Sequence, residues 1–222
     1  MKKAVIIVAG GKGTRMGTDV PKQFLKLLGI PVLCRTINCF LSYDSTIQVV
    51  LALPEHQKQV WEEIAKEFFP FQQFCVVSGG KERYHSVKNA LDEIGLDVDL
   101  TAVHDGVRPL VSKETISRCF EVAALKNNAV PCITPPESIR FIKENSNKPL
   151  DRNCIKLIQT PQIFSTKILK DAYQIPYNEH FTDDASVVEQ FGNTINLVDG
   201  DKHNIKITTK EDLEYAEFLL RK

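Results

Sequence analysis

Short apolar runs rich in Val and Ile alternate along the chain with stretches in which apolar residues recur every three or four positions. The runs AVIIVA (4–9), IQVVLAL (47–53), QFCVV (73–77), TAVH (101–104), AVPCI (129–133) and INLV (195–198) predict strands. Between them, Leu33, Ile37, Phe40 and Leu41 predict one helix face, and Val60, Ile64 and Phe68 a second. Val87, Ala90, Leu91 and Ile94 predict a third, and Ile116, Cys119, Phe120 and Ala123 a fourth. Thr209 and Asp212 stand at capping-box spacing and open a last helix that carries Leu213, Ala216 and Leu220. Alternation of this kind builds βαβ units. The expected fold is therefore α/β, a Rossmann-like and mostly parallel sheet flanked by helices.

One segment breaks the alternation. Residues 134–162 place two strand-like runs around the polar stretch KENSNKP, which predicts a β-hairpin arm at about 134–156 inserted in the frame. Nothing else reads as a linker, repeat or low-complexity tract. A chain of 222 residues that is 43% hydrophobic suits one sizeable core, so a single domain is expected over residues 1–222.

The 28 basic and 28 acidic residues cancel, which leaves no global field to favour nucleic acid or a membrane surface as partner. Any affinity for anions must be local. The six cysteines are scattered without a C-x-x-C pair or a histidine cluster, the pattern of reduced thiols in a cytoplasmic protein. The opening MKKAVIIVAGGK imitates a secretory signal, but its apolar run is too short and has no small-residue cleavage site, so it reads as a strand.

The glycine-dense loop VAGGKGTRMG (8–17) directly follows the first predicted strand. It is not a Walker loop, because Lys12 is followed by Gly13 where Ser or Thr is required. It is not a dinucleotide fingerprint either, since Met16 occupies the third glycine position. Gly10, Gly11 and Gly13 nevertheless offer backbone amides at a strand end, and Arg15 and Lys22 add two cations at the same mouth.

The order A-G-G-x-G-[ST]-R-M-G followed by P-K-Q-F-L resembles the nucleotidyltransferases that activate phosphorylated sugars and polyols, and among them the cytidylyltransferase family. GGKERYHSV (79–87), VHDGVRPLV (103–111), QTPQIF (159–164), FTDDASVVE (181–189) and HNIKITTKEDL (203–213) are similar to further family blocks in the family's order. The likeness spans residues 4–220. It favours the branch that acts on methylerythritol phosphate, through TDDASVVE and VDGDKHNIKIT. The ribitol 5-phosphate branch resembles the chain in the glycine loop, the H-D-x-x-R-P block and the T-P-Q block.

The resemblance implies transfer of CMP from CTP to a polyol phosphate with release of pyrophosphate, and a divalent cation such as Mg2+ held mainly by CTP oxygens rather than by protein ligands. An acceptor phosphate is already anionic near neutral pH, so catalysis reduces to positioning and neutralisation of charge. By the family's pattern Arg15 and Lys22 are the cations on CTP, and Arg152 and Lys206 hold the acceptor phosphate. Ala9, Gly10 and Gly11 match the main chain lying against base and ribose, and Gly80, Lys81 and Ser86 the second base-recognition segment. Ser86 can equally cap the helix beginning near residue 83. Asp105 and Gly106 match the ribose and metal side, and Arg108, Thr160 and Ser138 the polyol phosphate side. Ser138 replaces a common Thr, and Glu137 precedes it in place of Asp. The arm carrying Ser138 and Arg152 implies a homodimer in which each arm completes the partner's pocket.

Two further groups draw readings other than catalysis. Asp183 and Asp184 are adjacent, but with Thr182 they fit helix capping better than a metal site. His85 and His104 flank the expected pocket with no nucleophile to pair with, and read as structural or nucleotide-adjacent. A fold that has kept nucleotide binding and lost turnover is the remaining reading, disfavoured because all four cations are present.

Overall fold

The computed structural model describes residues 1–11, 20–144 and 146–222. Its centre is a sheet built on β1 (Lys3–Val8), β4 (Gln48–Leu53), β5 (Cys75–Ser78), β6 (Leu100–Asp105) and β7 (Asn128–Ile133), with the small hairpin β2 (Lys26–Leu27) and β3 (Ile30–Pro31) lying off it. The arm is a separate ladder of β8 (Ile139–Lys143) and β9 (Ser146–Leu150). Three late strands, β10 (Leu157–Ile158), β11 (Gln162–Ser165) and β12 (Leu197–Asp199), return to the main sheet. Its order is β10-β7-β11-β6-β1-β4-β5, with β12 also paired to β7.

The strands β6, β1, β4 and β5 run parallel, as the βαβ pattern requires. The departure lies in the middle. β11 sits antiparallel between β6 and β7, pairing Gln162 with Val103 and Ile163 with Ala129. The sheet is thus mixed, although it remains mostly parallel and matches the expected class.

Strand residues alternate between two cores because successive side chains leave opposite faces. Val5 and Ile7 enter one core with Val49, Leu51 and Leu53, while Ala4 and Ile6 enter the other with Val50 and Ala52. The first core is closed by α1 (Val32–Tyr43), α2 (Lys58–Phe68) and α4 (Lys113–Lys126). The second is closed by α3 (Arg83–Asp92), α5 (Thr166–Ala172) and α6 (Asp184–Gln190). The last helix, α7 (Lys210–Leu220), starts at the expected capping box of Thr209 and Asp212 and packs Ala216 into a third cluster with Leu27, Val107 and Ile207.

Three sequence expectations need correction. On α2 the buried anchor is Trp61, whereas Val60 is exposed, because the stripe Trp61, Ile64, Phe68 faces the sheet. Leu220 at the end of α7 is exposed as well. In the arm, the stretch KENSNKP supplies a strand and not only a turn: Ser146–Leu150 pairs with Ile139–Lys143. The second apolar run, Leu157–Ile158, instead pairs with β7.

All six cysteines are free, and burial pushes the thiols of Cys34 and Cys119 up to about 12 and that of Cys39 to about 11. These three are packing residues rather than reactive ones. Among the described residues no helix is long and apolar enough to cross a membrane.

Candidate active site

β1 and β6 lie side by side with Val8 opposite Asp105, so the two central strands end at one mouth. The chain leaving β1 is held there by the Ala9 amide, which donates to the Ala52 carbonyl at 3.0 Å. The Gly106 amide donates back to the Val8 carbonyl at 2.9 Å. A Cβ on Gly106 would stand 2.8 Å from that of Ala9, so only glycine lets the two strand ends approach this closely.

A third wall comes from the turn after β5. The Ser86 hydroxyl accepts the Gly80 amide at 3.0 Å and donates to the Glu82 carbonyl at 3.3 Å. Ser86 thus lies within the first turn of α3 and ties the loop to it; the N-cap is Glu82, which makes no side-chain cap bond. Gly80 packs over the helix so tightly that a Cβ would sit 2.2 Å from the Cβ of His85.

These walls enclose a cleft of about 230 Å³ lined by Ala9, Gly10, Gly11, Gly80, Lys81 and Ser86, with Lys22, Asp105 and Lys206 among its charged groups. Lys22 stands on a single 3-10 turn, largely buried, its Nζ donating to the Ile207 carbonyl at 3.4 Å. A second cleft of about 260 Å³ is lined by Arg108 and Thr160 together with Gln162, Thr182 and Asp183. The two clefts share Arg83, Asp105 and Lys206.

Asp105 is the electrostatic hub. Its Oδ2 lies 3.1 Å from both Arg108 Nε and Lys206 Nζ, and its Oδ1 lies 3.8 Å from Arg83 Nε. Burial pushes the carboxyl pKa up, but Arg83, Lys206 and Arg108 more than offset it and hold Asp105 below the ordinary carboxylate range. It stays ionised at any working pH.

Beneath it runs a fully determined hydrogen-bond chain. The Thr160 hydroxyl accepts the Asp105 amide at 3.1 Å and lies 2.9 Å from His104 Nδ1. The Arg108 carbonyl, 3.2 Å from Nε2, can only accept, so the neutral ring carries its proton on Nε2 and Nδ1 accepts the Thr160 hydrogen. Burial holds the His104 pKa at about 3, so the ring is neutral. His104 is fully buried in the strand-end frame. Asn204 completes the frame: its side-chain Nδ2 donates to the Thr160 carbonyl at 2.8 Å, and its main-chain carbonyl accepts from Arg108 Nη1 at 2.8 Å.

Two expected site residues stand apart. Ser138 and Arg152 are exposed on the arm and line neither cleft, and Arg152 Nη1 donates to the Pro136 carbonyl at 2.6 Å. Arg15 lies outside the described residues, as do Lys12 and Gly13.

Two residues not anticipated as functional join the site. Gln23 is buried against the first cleft, where its amide donates to the Ala9 carbonyl at 2.8 Å and fixes the strand-end backbone. Arg83 donates to both oxygens of Asp184 at 2.8 and 2.6 Å. The adjacent acids therefore have separate structural tasks. Asp183, not Thr182, caps α6 in a capping box with Ser186, and fully buried Asp184 is the Arg83 partner.

The described residues contain no group of three or more His, Cys, Asp or Glu side chains placed to hold a metal. The first cleft offers the carboxylates of Asp105 and Glu82. One or two carboxylates fit a hydrated divalent cation carried in on phosphate oxygens, not a protein cage.

A glycine-backed cleft at the carboxyl ends of parallel strands, with cations in its lining and joined to a second cleft, suits two phosphate-bearing ligands held side by side. The chain matches the family model described as IspD, 2-C-methyl-D-erythritol 4-phosphate cytidylyltransferase, over residues 3–222. It is 46% identical over 220 residues to the 2-C-methyl-D-erythritol 4-phosphate cytidylyltransferase of Phocaeicola vulgatus, covering 99% of this chain and 100% of that protein. To the Bacteroides fragilis protein of the same name it is 44% identical over 220 residues, with 99% and 100% covered. The crystal structure of the Francisella tularensis 2-C-methyl-D-erythritol 4-phosphate cytidylyltransferase superposes with a TM-score of 0.79 at 32% identity, covering 98% of this chain and 99% of that one. The chain belongs to the 2-C-methyl-D-erythritol 4-phosphate cytidylyltransferase family.

Proposed function

We propose that this chain transfers CMP from CTP to 2-C-methyl-D-erythritol 4-phosphate, giving 4-diphosphocytidyl-2-C-methyl-D-erythritol and pyrophosphate for isoprenoid biosynthesis. The observation that carries the reading is the meeting of two clefts at Asp105 and Lys206, since the reaction needs two phosphate sites that touch at one point. Family membership selects the acceptor over ribitol 5-phosphate, whose chemistry the second cleft would accept equally.

In this reading CTP lies along Ala9, Gly10 and Gly11, with its base side toward Gly80, Lys81 and Ser86. An oxygen of the acceptor phosphate attacks the α-phosphorus in line; the bond to the bridging oxygen breaks, and pyrophosphate carries away the electron pair. No base is required. Lys22 and Arg15 offset charge on the triphosphate as the five-coordinate phosphorus forms. Lys206 and Arg108 hold the acceptor, and Thr160 keeps Asp105 and His104 in register. Bound Mg2+ would neutralise phosphate charge, and Asp105 and Glu82 are the cleft carboxylates that could hold its hydration shell.

Arg152 and Ser138 enter from the arm of a second subunit, in a cytoplasmic homodimer of single-domain chains. Both are exposed where the chain enters and leaves the β8–β9 hairpin, which supports that placement. Mixed dimers of Arg15→Ala and Arg152→Ala test it, because one intact composite site should restore activity that neither variant has alone. A fully active monomer overturns it.

The reaction itself is tested by incubating the protein with CTP, Mg2+ and each polyol phosphate separately and following pyrophosphate. Release with methylerythritol phosphate alone is expected. Release with ribitol 5-phosphate alone would reassign the acceptor, and CTP binding without release would make the chain a nucleotide-binding regulator.

A further inference from the structure

Arg83 shares with Asp105 and Lys206 the distinction of lining both clefts. It is clamped from beneath by the bidentate contact with Asp184, which has no exposed surface and also accepts the Tyr173 hydroxyl at 2.7 Å. The clamp aims the Nε edge of the guanidinium at Asp105 Oδ1, 3.8 Å away. The other carboxylate oxygen is shared by Arg108 and Lys206 at 3.1 Å each.

Asp105 is thus balanced between cations on its two oxygens. Without Arg83 the attraction on Oδ1 disappears, and the carboxylate turns toward its Oδ2 partners. The repulsion between Arg83 and Lys206 disappears with it, so Lys206 is held more firmly by Asp105. That is the wrong place for a cation required by an incoming phosphate.

We propose that Arg83 is a positioning residue of the transfer reaction: by bridging buried Asp184 and Asp105 it orients the carboxylate so that Lys206 remains available to the acceptor phosphate. This role rests on the reaction proposed above. A guanidinium suits this task because its rigid planar fork grips Asp184 with two donors while Nε faces Asp105, a fixed geometry that a point-charge ammonium lacks.

Removing Arg83 alone would strand the buried charge of Asp184, so the test uses a matched pair of changes. In Arg83→Met with Asp184→Asn, the Asn carbonyl still accepts the Tyr173 hydroxyl and no charge is left unpaired. Arg83→Lys is the second variant; it keeps a cation for Asp184 without the reach to Asp105. Steady-state pyrophosphate release should show kcat/KM for the acceptor reduced on the order of 10-fold to 100-fold in both, with KM for CTP changed by less than about threefold. A purely structural role would lower the melting temperature and leave this selective loss absent. Wild-type acceptor kinetics in either folded variant overturn the positioning role alone. A wild-type chain that releases no pyrophosphate overturns the reaction and the positioning role together.

Discussion

The Thr160 hydroxyl accepts the amide hydrogen of Asp105 at 3.1 Å while hydrogen-bonded to His104 Nδ1 at 2.9 Å. One side chain from the segment before β11 thereby locks two consecutive residues at the end of β6. Thr160→Val keeps the shape and deletes both bonds, leaving a buried amide and a buried ring nitrogen unpaired. It should cost about 1–3 kcal/mol in urea denaturation and lower acceptor kcat/KM, whereas Thr160→Ser should restore both. Equal behaviour of the Val and Ser variants would show that the hydroxyl is not what matters.

The neutral state of His104 makes stability depend on pH. Burial holds its folded pKa at about 3, against an ordinary value of 6.5, so the unfolded chain takes up a proton between these values that the folded chain refuses. The resulting stabilisation is complete above pH 6.5, falls as the pH drops and is gone below pH 3. Between pH 8 and pH 5 the loss is about 2 kcal/mol from this ring. Denaturation midpoints across that range should show it, and His104→Gln should flatten the slope whatever its effect on absolute stability.

Gly10 and Gly80, two of the cleft glycines, should respond differently to alanine. At Gly80 the new methyl meets His85 Cβ at 2.2 Å and its main-chain carbon at 3.0 Å, so the loop must shift. Gly80→Ala should destabilise by about 1–3 kcal/mol. Calorimetry should show CTP binding weakened by about tenfold. At Gly10 the methyl meets nothing within 4 Å, so Gly10→Ala should melt like the wild type. A destabilised Gly10→Ala would contradict the open geometry.

Lys22 is only 9% exposed, and its aliphatic stem passes 3.5 Å from where a Gly11 Cβ would be. A cation held this tightly is suited to charge that develops in the transition state. Lys22→Ala should lower kcat by about 100-fold to 1000-fold while CTP affinity falls by less than about tenfold. Equal losses in kcat and affinity would reduce Lys22 to a binding residue.

Much of this was legible in the sequence, because buried parallel strands and amphipathic helices write strong periodic signals. Every strand predicted from an apolar run exists, with ends moved by one or two residues. β11 escaped notice because QIFS is four residues long and carries a polar start, yet it fills the middle of the sheet. On α2, Val60 and Trp61 both fit a helical stripe, and only the sheet's position selects Trp61.

The lining of the first cleft was legible at Gly10 and Gly11, which follow a strand, while Gly80, Asp105 and Lys206 were marked only by the family resemblance. Arg83 was hidden in plain view. An arginine in the first turn of a helix opposes the helix dipole, and that misfit is a signal that a carboxylate must lie nearby. Its partner, Asp184, sits 101 residues away in a block that read as ordinary capping.

The antiparallel insertion of β11 has a consequence for synthesis of the chain. A nascent polypeptide that has emerged as far as Ile133 already contains β6 and β7, but the strand that joins them by hydrogen bonds has not yet been made. The ribosome must first deliver the entire arm and then Gln162–Ser165 before the two halves of the sheet can be zipped together. Truncation anywhere ahead of Gln162 therefore leaves two exposed strand edges at the heart of the molecule.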